Sequence, residues 1–379
     1  MSASWPRTAT VLATLAALPA VPAVAAPVPA PETGVVESVE PLAPAATLPG
    51  SVDSARIIYT TTTAGGAPAT SSGAVYFPPG PPPPGGWPII AWAHGTLGLA
   101  DQCAYSLRGP AEVERDWAYL DTWLDQGYAV VASDYAGLGT PGEQPYLNGK
   151  VEAANIVDGV KAATRHYPNL SRKWVVVGQS QGGEAAMFTA RYATEFGGRE
   201  LDYRGAVGTG VPAYNEELIG AAGPAFPPVK LSGYNTRATL YVLNGLKTSH
   251  PDLDIDSYLT DAGRYWFTRA QQICGDDMYT ELTDAGVSLK DLLARPLSEL
   301  PPGMLHNDLA LPETGFDKPV FIGQGLRDTN IIMPNTLRYA ATLTADHQPL
   351  ILHTYPTDHN GTVLASQADS IPFVAKALA

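Results

Sequence analysis

From Pro88 onward the chain repeats one pattern: short, almost wholly apolar runs alternate with longer stretches whose apolar residues recur every three or four positions. The short runs cover residues 89–93, 129–133, 174–178, 205–208, 320–323 and 350–355. Their unbroken apolar character predicts strands covered on both faces, as in a mostly parallel sheet. The longer stretches predict helices over 112–126 and 151–166, with Val157 and Val160 on one face and Gly127 and Pro168 as stops. Regular alternation of the two defines an α/β protein, a central sheet flanked by helices.

Ahead of this repeat, residues 56–63 and 72–77 flank Gly65-Gly66 and predict an antiparallel hairpin, followed by a stiff proline-rich loop over 78–84. Residues 27–50 are rich in Pro and Ala without periodicity and read as an extended arm, with order expected from about Ile57. The repeat fails again between Tyr214 and Leu311. That break predicts an inserted helical cap or lid over 214–311, dividing the core into 51–213 and 312–379. Within it, Tyr258, Tyr265, Trp266, Phe267, Leu289, Leu292 and Leu293 either line an apolar acyl pocket or pack the cap against the body.

Composition narrows the class. A chain of 379 residues with 45% hydrophobic and 16% charged positions buries a sizeable core and is not a solvated tail. At the N-terminus, Arg7 precedes an apolar run over 9–20 and the small-residue pattern Ala23-Val24-Ala25, which predicts a signal peptide over 1–26, cut near Ala25 or Ala26, and hence secretion. No segment offers the roughly 18 uninterrupted apolar residues of a membrane span, and no cysteine stands at the cleavage site to carry a lipid anchor. The only cysteines, Cys103 and Cys274, favour one disulfide in an oxidising compartment over two buried thiols. A formal charge of −14 makes nucleic acid a poor partner and weakly favours neutral or cationic substrates over anionic ones.

The chemistry centres on Gly178-Gln179-Ser180-Gln181-Gly182, a G-x-S-x-G turn between a three-valine strand and a helical pattern over 184–192. The bare pattern is weak; its placement between strand and helix carries the reading. A serine hydroxyl needs an adjacent base and an unobstructed approach, and a sharp strand-to-helix turn with glycines on either side provides the exposure. In this arrangement the order along the chain is Ser, acid, His. Of seven histidines, His359 follows the last predicted strand and is assigned as base; His353 lies inside that strand and His347 precedes it. Asp328, after the run 320–323, is assigned as the acid that orients the imidazole, with Asp358 as the rival too close in sequence to reach the ring. Oxyanion donors are expected from the backbone of Gln181 and of Thr96 in His94-Gly95-Thr96, with Leu97 as the alternative register and His94 itself structural.

Together, His94-Gly95-Thr96, Asp134-Tyr135-Ala136-Gly137-Leu138-Gly139-Thr140-Pro141-Gly142, the Ser180 turn, Asp328 and His359 resemble the secretory lipase family over nearly all of the chain after the arm. The resemblance implies an α/β-hydrolase fold, a helical lid inserted between nucleophile and acid, no metal or other cofactor, and hydrolysis of acylglycerols and related carboxylic esters, with a lipid–water interface as a partner to test. Cys103 and Cys274 are placed as a disulfide of that family requires. The same triad would also serve a polyester depolymerase, an acyltransferase or a serine peptidase. A catalytically silent binding module is expected to have lost one of its three residues, and here all are present.

Overall fold

The computed structural model describes residues 1–6, 8, 32–225 and 233–379. The expected signal peptide lies for its greater part outside the described residues. Met1–Pro31 and Glu32–Ala379 are separate units, and the few described residues of the first carry no regular secondary structure.

In the second unit, all six apolar runs are strands of one nine-stranded sheet, ordered β1-β2-β3-β5-β4-β6-β7-β8-β9. The parallel part comprises β4 (Trp87–Ala93), β5 (Ala129–Ser133), β6 (Leu170–Gln179), β7 (Asp202–Thr209), β8 (Val320–Gly325) and β9 (Leu350–Tyr355). The side-chain period of two splits the apolar runs of β4 to β8 between two cores, whereas β9 is an edge strand with Ile351 and Leu352 exposed. Ile89, Ala91 and Ala93 of β4 face the helices Gly149–His166 and Gln181–Gly197, whereas Ile90 and Trp92 face Val113–Asp125 and Gln367–Leu378. Trp92, Trp123 and Trp174 are each fully buried, and burying a large apolar side chain contributes about 1.5–3 kcal/mol. These layers define an α/β protein with a mostly parallel central sheet flanked by helices.

The predicted hairpin is present and longer than expected, with β2 (Asp53–Thr62) and β3 (Pro68–Phe77) paired antiparallel from Asp53↔Phe77 to Thr62↔Pro68. One expectation is corrected. Order does not begin near Ile57, because β1 (Val36–Glu40), inside the stretch read as an arm, pairs antiparallel with β2. As an edge strand with Val39 exposed, β1 is held by backbone hydrogen bonds to β2, by Val36 packed against the core and by Glu40 accepting from Arg56 at 2.9 Å, which leaves too little apolar pattern to detect.

A buried polar clamp fixes this antiparallel part to the parallel sheet. Asp134, just after β5, accepts hydrogen bonds from Ser72 Oγ (2.6 Å) and the Ser106 amide (2.8 Å). Tyr135 donates its hydroxyl to the His94 carbonyl (3.2 Å), and Thr140 Oγ1 donates to the Thr70 carbonyl (2.9 Å). The 134–142 motif therefore holds the loop after β4 in place.

Between β7 and β8 the chain leaves the sheet and forms helices, including Gly233–Ser249, Asp261–Ala270 and Gly275–Ala285. They share a third apolar cluster with Leu99, Tyr146 and Leu147 of the core. Tyr258, Trp266, Phe267, Leu289, Leu292 and Leu293 are buried in that cluster, and Tyr265 is exposed. The six buried side chains pack the insertion against the body, which is the second of the two roles considered for them, and Tyr265 stands outside that cluster. A Cys103–Cys274 disulfide joins the insertion to the core. Beside it the Gly275 amide donates to the Leu97 carbonyl at 2.7 Å.

The disulfide spans a sequence separation of 171 residues, for which loop entropy predicts at most about 5 kcal/mol of stabilisation. Replacing both cysteines by serine is expected to lower Tm in scanning calorimetry and to make it insensitive to reductant, while the wild-type Tm falls on reduction.

Candidate active site

Ser180 joins the end of β6 to the helix Gln181–Gly197 with φ 58° and ψ −120°. A non-glycine residue in this region costs of the order of 1–3 kcal/mol and persists only where its surroundings impose it. The imposing contacts are close: a Cβ at Gly178 would stand 1.9 Å from the Gly182 carbonyl oxygen, and one at Gly182 would stand 1.8 Å from that of Ala93. The Ser180 amide donates to the Thr209 carbonyl at 3.0 Å, tying the turn to β7 as well.

Asp328 and His359 follow β8 and β9 and meet. His359 Nδ1 lies 2.7 Å from Asp328 Oδ2, with both side chains buried. The other carboxylate oxygen accepts from the amides of Asn330 and Ile331, each at 2.9 Å. Burial works against the charged form of Asp328, yet the His359 contact and these two amides outweigh it and hold its pKa below the ordinary value. The carboxylate therefore places the imidazole proton on Nδ1, leaving Nε2 as an acceptor. The rival Asp358 is occupied locally, accepting from the Gly361 amide at 2.8 Å. His353 pairs with Asp369 at 3.2 Å on the last strand, and His347 lies in the turn before it.

His359 Nε2 faces the Ser180 turn, where the Gln179 side-chain amide donates to it at 2.8 Å. Ser180 Oγ makes no hydrogen bond among the described residues. It lines the same small cavity of about 40 Å³ as His359, together with His94, Gly95 and Thr96. A second chamber of about 60 Å³ is lined by Ser180, Gln181 and Thr96. Larger hollows of about 540 and 570 Å³ lie elsewhere on the surface and contain none of the expected site residues. Leu97 lines only the first chamber, whereas Thr96 lines both.

Behind Thr96 and Gln181 stands a network the motifs did not disclose. Thr96 Oγ1 and the Tyr146 hydroxyl are 2.7 Å apart. Gln181 Nε2 donates to Glu152 Oε1 at 2.7 Å. Burial pushes the Glu152 carboxyl up to about 7, against the hydrogen bonds from Gln181 and the Leu147 amide. Glu184, fully buried without a hydrogen-bond partner, is raised well above the carboxylate range by burial and then by the negative charges of Glu152 and Glu216. His94 packs against the rings of Tyr105 and Tyr135, donates from Nδ1 to the Gly95 carbonyl (2.8 Å), and is held neutral by burial. A sequence signal for Glu152 exists in retrospect: it stands in register with Ile156 and Val160 on the buried face of its helix. Gln179 has none beyond its place in the turn.

A nucleophile-type turn, a histidine on the loop after the last strand and a buried acid after the preceding one form the constellation of an α/β hydrolase. The Secretory lipase family matches residues 107–347, well over half of the chain, and the protein belongs to that family. It is a lipase/esterase-type hydrolase. Among solved structures, Candida antarctica lipase A is similar at 20% identity and TM-score 0.74, over 92% of this chain and 82% of that one. The rice cell wall degrading esterase LipA from Xanthomonas oryzae is similar at 19% identity and TM-score 0.69, over 92% and 99%. A putative hydrolase from Legionella pneumophila follows at 17% identity and TM-score 0.68, over 91% and 98%. No curated protein matches in sequence.

Glu152 gives the site a pH signature. Between about 4.5, the ordinary value, and about 7 the unfolded chain releases this proton while the folded chain keeps it. Its contribution to stability is therefore full below the lower value, declines as the pH rises and is fully lost above the upper one. Glu152→Gln retains an acceptor for Gln181 and removes the ionisation. Urea unfolding at pH 4 and pH 8 is expected to show the variant gaining about 3 kcal/mol on the wild type across that range; parallel pH profiles would rule the assignment out.

Proposed function

We propose that the mature chain is a secreted serine carboxylic-ester hydrolase acting through Ser180, His359 and Asp328. The observation that supports this most directly is the position of His359, bound to Asp328 through one nitrogen and turned toward the Ser180 cavity with the other. Ser180 Oγ attacks the ester carbonyl while His359 Nε2 takes its proton; the alcohol leaves with that proton, and water then releases the acyl group by the same route. Asp328 stabilises the imidazolium that forms in each half-reaction. In the resting site the Gln179 amide occupies Nε2, and the Ser180 hydroxyl takes its place when the ester enters.

The oxyanion is received by the backbone N–H groups of Thr96 and Gln181. The latter opens a helix, where first-turn amides have no intrahelical partner and the helix dipole favours negative charge. Each such donor contributes about 3–4 kcal/mol to the transition state. The Glu152–Gln181 and Tyr146–Thr96 contacts steady the two residues that carry them. Core segments 51–213 and 312–379 supply this machinery, and residues 214–311 cover it. Acylglycerols and related esters are the substrates this reading favours, and export fits both the N-terminal pattern and the family.

Ser180→Ala is expected to reduce hydrolysis of chromogenic acyl esters to background with an unchanged circular dichroism spectrum. Asp328→Asn is expected to lose roughly 10³–10⁴-fold in kcat, because the amide no longer selects the Nδ1 tautomer. Turnover by Ser180→Ala equal to wild type would exclude the mechanism. An acyl-length series with and without an emulsion separates lipase from esterase, and cleavage of amide substrates would mark a peptidase.

A further inference from the structure

The acceptor that the Ser180 hydroxyl needs is already in use. Asp328 binds His359 at Nδ1 (2.7 Å), which fixes the proton of the neutral imidazole on that nitrogen and leaves one lone pair, on Nε2, to accept a hydrogen bond. The Gln179 side-chain amide donates to that lone pair at 2.8 Å, and Ser180 Oγ makes no hydrogen bond among the described residues. One lone pair serves one donor well. The two contacts therefore exclude each other, and while Gln179 holds the base Ser180 has none to activate it.

The Gln179 carboxamide is held in place by the fold. Gln179 is 3% exposed and shares the wall of the small cavity with Ser180 and His359. Its Oε1 lies against the loop after β4, where a Cβ on Gly95 would stand 2.8 Å from it and 3.7 Å from Ser180 Cβ. The missing side chain at Gly95 thus gives the carboxamide its room, and the amide spans from that loop to the nitrogen through which the proton moves.

We infer that Gln179 is a further catalytic-site residue that occupies His359 in the free enzyme, so that only molecules in which its amide has let go carry a nucleophilic Ser180. The inference rests on Ser180 and His359 acting as proposed above. A competent state that is only partly populated lowers the apparent reactivity by its fraction, and one neutral hydrogen bond shifts such an equilibrium roughly 2- to 13-fold. Removing the donor is therefore expected to raise reactivity.

Diethyl p-nitrophenyl phosphate tests this without a deacylation step. Ser180 Oγ bonds to phosphorus and displaces p-nitrophenolate, while the hydroxyl proton passes to His359. Gln179→Met, of similar length and unable to donate, is expected to raise the second-order rate constant at pH 7.5 at least twofold over wild type. Damage to the fold lowers such a rate, so the direction of the change separates this role from a structural one. A smaller gain, no change or a loss overturns the inference. Should Gln179→Met not fold, a crystal structure of wild type phosphorylated at Ser180 decides the matter: a Gln179 amide beyond hydrogen-bond distance of His359 Nε2 supports the inference, and a retained hydrogen bond overturns it. Ser180-dependent release of p-nitrophenolate with no gain in Gln179→Met would defeat this inference alone, whereas release that persists in Ser180→Ala would defeat the serine mechanism beneath it.

Discussion

The carbonyl oxygen of Ala93 lies 1.8 Å from where a Cβ on Gly182 would stand. This contact brings the end of β4 against the first turn of the elbow helix at a distance that only glycine allows. Three things depend on it. Ser180 is driven into its strained conformation, the loop carrying Thr96 is brought alongside Gln181, and the ends of β4 and β6 open onto one cavity. The strain is borne by the sheet, because β6 is hydrogen-bonded on both sides and its valines are fully buried. A second close approach works the same way on the opposite side of the site. Gly210, after β7, has φ 56° and would place a Cβ 2.8 Å from His359 Nδ1, so the imidazole sits directly on the backbone.

Around this frame the polar groups are arranged by burial more than by pairing. Asp328 is kept ionised by one imidazole and two backbone amides. Glu152 and Glu184, a short distance along the same helical layer, have no cation among their partners and hold their protons instead. Two carboxyl states thus coexist near one serine, set by which hydrogen-bond donors the fold supplies. Asp134 serves a different end, since its partners are hydroxyls and an amide that lock the hairpin to the sheet.

Most of the sheet was legible because a strand buried on both faces must be apolar at every position, and no polar side chain blurs the pattern. The run at 129–133 coincides with the fully buried β5 to the residue, and the run at 350–355 matches β9, an edge strand recognised by its apolar and β-branched residues although Ile351 and Leu352 are exposed. The edge strand β1 was not legible, because beside its backbone pairing with β2 it is anchored by Val36 and by the Glu40–Arg56 pair, too few positions to make a pattern. Ser180, Asp328 and His359 could be proposed from chain order, and the contact of Asp328 with His359 is present in the fold. Gln179 and Glu152 could not. Gln179 reaches His359 across 180 residues, and the packing of the insertion has no repeat to read. The aromatic residues of that insertion were ambiguous for the same reason: a buried ring in a core and a ring lining a pocket carry one sequence signature.

The loop after β4 is stitched to the insertion by Cys103–Cys274, by the Leu97–Gly275 hydrogen bond and by the Gly98–Cys274 bridge. In evolutionary terms, the insertion is not an ornament that can be shortened or exchanged at will. The few residues around Cys274 and Gly275 belong structurally to the core. A chimera that transplants another insertion onto this sheet would have to keep that seam, or recreate it, before the loop after β4 had anything to rest on.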